Sequence, residues 1–128
     1  MMGSVILCKV KMLYKEIVMQ IEELNLFVKL FDTYGKLLSN KQYEVMDKFL
    51  NYNLSESELA ELDSGSRQSI HDAITKAKKQ LLDFEEKCQI VKFKELAKDN
   101  LLKVKAFLNE SEKNQSVESL IDGIINNL

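Results

Sequence analysis

Apolar residues begin to recur at intervals of three and four from Ile21. Leu24, Phe27, Leu30, Phe31, Tyr34 and Leu38 then fall on one face of a helix. This predicts a first packing helix. Ser39 and Asn40 supply cap chemistry for a second, carrying Tyr43, Val45, Met46, Phe49 and Leu50 and ending in a loop at Asn51 to Asn53. Ser55 and Glu58 have the spacing of a capping box, in which hydroxyl and carboxylate reciprocally satisfy free backbone N–H groups, so a third helix starts there and reaches about Asp63. Asp63 to Ser66 is turn chemistry: Gly65 is expected to take a positive φ and Ser66 to cap the next helix. Two short helices joined by a tight turn form the outline of a helix-turn-helix over residues 55–80.

Nothing in the pattern breaks the helix that follows Ser66. Ile70, Ile74, Ala77, Leu81, Phe84, Cys88 and Val91 alternate spacings of four and three, a heptad seam with Leu82, Ile90 and Phe93 on its flanks. The seam is expected to pack on the first helix or on the same helix of a second subunit, giving a homodimer. Cys88 reads as a small buried hydrophobe on it. Further on, Leu101, Leu102, Val104, Phe107 and Leu108 precede a polar break from Asn109 to Gln115. Ser116 then opens a short helix with Val117, Leu120, Ile121, Ile124 and Ile125, leaning on the long one. Met12, Met19 and Met46 read as core filler.

The fold class is all-α. No Pro and only four Gly in 128 residues leave little to punctuate helices, and the length fits one helical domain over residues 19–128. Residues 1–18 read as an N-terminal extension. Lys15 and Glu16 can be encoded as AAG GAG a short distance before the ATG of Met19, which is a ribosome-binding site read in frame, so Met19 is the expected native start. Mass spectrometry of protein made from its own promoter checks this, and residues 1–18 in the product would refute it. The apolar run from Val5 to Cys8 is interrupted by Lys9, Lys11 and Lys15 before a signal-peptide core forms, and no run suits a membrane span. Cys8 and Cys88 lie far apart and belong to no metal-ligand motif, so no disulfide, metal or cofactor is expected. The expected location is cytoplasmic.

The net charge of -2 conceals two blocks. Residues 41–65 carry two Lys against six Asp and Glu, whereas 66–105 carry ten Lys and Arg against six Asp and Glu. A polyanion would therefore meet the helix after Ser66. Its first turns hold Ser66, Arg67, Gln68 and His71, with Thr75, Lys78 and Lys79 continuing near that face. Arg and Gln make paired hydrogen bonds to guanine and adenine edges, and Lys and Thr meet phosphates, so Ser66, Arg67, Gln68, His71, Thr75 and Lys78 form the candidate nucleic-acid face. The same residues also suit an ordinary solvated helix surface. No catalytic site is expected: Ser69 and Asp72 flank His71 on a helix and point elsewhere, and neither a Gly-rich phosphate loop nor an HExxH motif occurs.

The blocks LFDTYGKLLSNKQ (30–42), LSESELAE (54–61), SRQSIHDAI (66–74) and LLDFEEKCQI (81–90), in that order, resemble the YlxM family of small bacterial proteins. The resemblance covers roughly residues 19–96. It implies a winged-helix-like DNA-binding architecture similar to region 4 of sigma factors. It also implies a regulatory role in the signal recognition particle pathway, through genes that neighbour the particle's GTPase. The chain departs from the family pattern at Asp63, Ser64 and Gly65, where the family's turn has an aromatic, an Asn and an apolar residue that wedge the two helices together. It departs again at Asn51, Tyr52 and Asn53, which replace acidic residues.

Two functions remain in view. One is a regulator that binds DNA or signal recognition particle RNA through the Ser66 helix. The other is a helical interaction and dimerisation module of the targeting machinery, with no nucleic acid bound and with the heptad seam docking a partner. Neither needs a membrane or a small-molecule substrate.

Overall fold

The computed structural model describes residues 2–63, 65–108 and 115–128. Six α-helices and one 3-10 turn account for nearly all of them: α1 Met2–Tyr34, the 3-10 turn Gly35–Leu37, α2 Asn40–Leu50, α3 Glu56–Leu62, α4 Arg67–Cys88, α5 Ile90–Leu108 and α6 Gln115–Asn127. The fold is all-α, and the described residues include no strand and so no β wing. None of these helices is long and apolar enough to cross a membrane.

Where the sequence predicts one domain over 19–128, the chain divides into two compact units, Met1–Lys87 and Cys88–Leu128. The local cause is Gln89. Its φ of 53° is left-handed, a conformation no α-helix accepts, so the expected long helix is two helices, α4 ending at Cys88 and α5 starting at Ile90. No Gly or Pro marks the break in the sequence. The expected polar break falls outside the described residues except for Gln115, with which α6 opens, one residue before Ser116.

The core of the first unit is the apolar face predicted for α1 meeting those of α2, α3 and α4. Phe27, Leu30, Phe31, Tyr34 and Leu38 are buried together with Val45, Met46, Leu50, Leu59, Ile70, Ile74, Ala77 and Leu81. Each such large side chain contributes about 1.5–3 kcal/mol by leaving water. Ring contacts tie the layers, Phe31 to Tyr43 at 4.9 Å and Tyr34 to Phe84 at 6.0 Å, and the Tyr34 hydroxyl donates to Glu85 at 3.1 Å. Upstream of Phe27 the helix continues without joining the core: residues 3–26 are exposed except for half-buried Val18. Ile21 and Leu24 of the predicted packing face are therefore outside it, as are Met12 and Met19, whereas Met46 is the buried filler expected.

The caps are local and legible. Ser39 forms a full capping box with Gln42, and Ser55 accepts from the Glu58 N–H at 3.2 Å. Asn53, φ 54°, turns the chain between α2 and α3, while Gly65 has no positive φ, contrary to expectation. A Cβ at Gly65 would meet nothing within 4 Å, but one at Gly35 would lie 3.0 Å from the buried Phe31 ring. Gly65→Ala is expected to stabilise by about 0.4–1 kcal/mol by restricting the unfolded chain. Gly35→Ala is expected to destabilise by about 1–3 kcal/mol by overpacking. Urea titrations of the two variants distinguish the signs. In the second unit Lys105 donates to Asp122 at 2.8 Å, bridging α5 and α6. The bond and then the charge of Asp122 hold the ammonium above its ordinary value, so the tie is complete at neutral pH and is lost only as alkalinity passes that raised value.

Candidate nucleic-acid interface

Helices α3 and α4, with the turn between them, place the candidate face. Leu59 anchors α3 in the core, and Ile70 and Ile74 anchor the first turns of α4. The opposite side of α4 is consequently turned to solvent. Ser66 caps α4: its hydroxyl accepts from the Ser69 N–H at 3.1 Å, and its carbonyl accepts from the Ile70 N–H at 3.2 Å. Ser66 thus sets where the helix starts and commits its oxygen to the backbone.

Arg67, Gln68, His71 and Thr75 lie exposed on adjoining strips of the first turns, so the structure does bring these four sequence-predicted residues together. Their states differ. Arg67 makes no hydrogen bond or ion pair with the described residues, leaving its planar fork of donors open. The Gln68 amide donates to Asp72 at 2.9 Å, an i,i+4 pair that holds the side chain along the helix and sets a carboxylate within the face. His71 Nδ1 lies 3.0 and 3.2 Å from the two Glu56 oxygens, so the imidazole spans from α4 to α3. This Glu56–His71 contact crosses between the two helices.

Lys78 departs from the predicted set. Its Nζ sits 4.9 Å from the Phe27 ring centre, 5.5 Å from that of Phe49 and 3.9 Å from Glu23, so its stem and charge serve the packing of α4 on α1 and α2. Lys79, exposed and in line with Gln68 and Thr75, takes the outward place instead, with Lys76 beside it. Lys78 stands four residues after Ile74 and three before Leu81, beside the buried face, whereas Lys79 falls on the opposite side of the helix; Phe27 and Phe49 then receive the Lys78 ammonium.

The seam resolves differently. Ile70, Ile74, Ala77 and Leu81 are buried within the single chain, Phe84 is half-buried against Tyr34, Cys88 is exposed rather than buried, and Val91 belongs to α5 beyond the break. Of the two packings the heptad allowed, these four residues adopt the one inside the chain. No spacing signals Glu56 as a partner, because its fifteen-residue separation from His71 follows no helical period. The Gln68–Asp72 pair was legible from its spacing. Among the described residues no group of three or more His, Cys, Asp or Glu is placed to hold a metal ion.

A family model described as "Putative helix-turn-helix protein, YlxM / p13 like" matches residues 21–122. A UPF0122 protein of Clostridium kluyveri is 34% identical over 102 residues, covering 77% of this chain and 92% of the relative. One from Clostridium botulinum is 40% identical over 88 residues, covering 69% and 78%. One from Clostridium perfringens is 44% identical over 63 residues, covering 49% and 56%.

Proposed function

We propose, from the premise that the chain belongs to the UPF0122 family of YlxM/p13-like helix-turn-helix proteins, that it is a regulator binding nucleic acid through the outer face of α4. The observation that carries the reading is Arg67, without a partner among the described residues, at the exposed start of a helix whose other side is locked into the core. Arg67 reaches base edge or phosphate, Thr75 and Lys79 meet phosphates further along, and Ser66 fixes the register at which α4 begins. The acidic α3, carrying Glu56, Glu58 and Glu61, stands against close approach on its own side and directs the polyanion to α4. Such a function needs no catalysis, and it places the protein in the cytoplasm. Its link to the signal recognition particle pathway rests on the family resemblance, which makes that particle's RNA the natural rival to duplex DNA as the ligand.

Fluorescence anisotropy of the full chain against labelled duplex DNA and against signal recognition particle RNA, at two salt concentrations, tests the reading. Affinity that falls steeply with salt supports it, because released counterions drive such association. No binding to either ligand refutes it. Asp72 is the one carboxylate among the first turns of the face, and Asp72→Asn is expected to raise affinity roughly fivefold, the worth of about 1 kcal/mol of screened repulsion. An unchanged or weaker affinity would place the ligand elsewhere.

A protein-interaction role is the second reading. It is favoured by the exposed apolar surface of α5.

A further inference from the structure

Helix α5 carries an apolar stripe that the described residues of its own unit leave exposed. Phe93 is 69% exposed, Leu96 54%, Val104 47% and Phe107 87%. With exposed Asn100 among them, the five residues follow one another at intervals of three, four, four and three, which keeps them on one strip of the helix. The spacing reads the same from either end. When two copies of this helix are laid antiparallel about a two-fold axis at Asn100, Phe93 meets Phe107, Leu96 meets Val104, and Asn100 meets its own counterpart.

We propose that the outer face of α5 is the interface with a second copy of this chain, in this antiparallel register. A two-fold interface requires a patch complementary to itself, and the palindromic stripe meets that requirement. Asn100 fits its centre because a carboxamide both donates and accepts, so two copies satisfy each other across the axis. Covering the four apolar side chains removes roughly 500 Å² per copy from water, short of the ~800 Å² per partner of a standard interface, which corresponds to a concentration-dependent dimer. This surface differs from the Ile70 to Leu81 seam, which the single chain already buries.

The test is sedimentation of the full chain over about 5–200 µM, spanning micromolar affinities. A mass rising from monomer to dimer is expected. Phe107→Asp and Phe93→Asp, both at exposed positions that spare the monomer's core, are each expected to raise the dissociation constant at least about tenfold, the effect of a charge placed in an apolar contact. Register is read by cross-linking with diamide after Cys8→Ser and Cys88→Ser remove the free thiols. Asn100→Cys is expected to give a disulfide-linked dimer. Phe93→Cys alone should not, whereas Phe93→Cys with Phe107→Cys should. A monomer at every concentration, or a dimer indifferent to both Asp substitutions, overturns the interface, and efficient self-linking of Phe93→Cys overturns the antiparallel register.

Discussion

Arg67→Ala is expected to weaken nucleic-acid binding by about 1–3 kcal/mol, roughly 5- to 150-fold, while leaving thermal stability unchanged. The side chain is exposed and unpaired among the described residues, so nothing in the core depends on it. The salt series then separates its two possible uses. If Arg67 reads a base edge, discrimination between sequences is lost. If it neutralises a phosphate, binding weakens evenly across sequences and the slope of log affinity on log salt falls by about one. Equal affinity of variant and parent at low salt would remove α4 from the interface. Lys78→Ala makes a useful contrast: with its ammonium held over Phe27 and Phe49, it should cost stability before it costs binding.

Leu81→Ala is expected to destabilise the first unit by about 2–5 kcal/mol, because a fully buried leucine leaves both its transfer energy and a cavity behind. That is a large part of the 5–15 kcal/mol available to a typical domain. Urea denaturation at several protein concentrations measures it. A loss of stability independent of concentration marks Leu81 as core of the single chain. A loss that tracks the dimer fraction would return Leu81 to a subunit interface. The α5 stripe, by contrast, should respond to concentration and spare the monomer.

The helical class and most boundaries were legible because they depend on neighbours three or four residues apart. Ser39, Ser55 and Ser66 each cap the helix that their spacing announces, and the recurrence from Phe27 to Leu38 is the core face of α1. Three expectations failed for lack of a local signal. Gln89 takes a left-handed φ that its residue type does not advertise, Gly65 does not use the freedom its type allows, and Cys88 fits a heptad yet lies in solvent. A period identifies which residues share a face, but the same pattern serves a core, a subunit seam and an exposed strip.

The sequence by itself therefore determined the helical periodicity, the caps, the turn that makes the helix-turn-helix, and the presence of Arg67, Gln68, His71 and Thr75 on one side of its second helix. All of these follow from hydrogen bonds and side-chain directions within a few residues. Only the tertiary structure decided how those faces are used. It buried the Ile70 to Leu81 seam within the chain, drew Lys78 over two aromatic rings, tied His71 to Glu56 across two helices, and left the stripe from Phe93 to Phe107 exposed among the described residues of its own unit. Contacts of that kind depend on where distant segments come to rest, and no spacing along the chain encodes that.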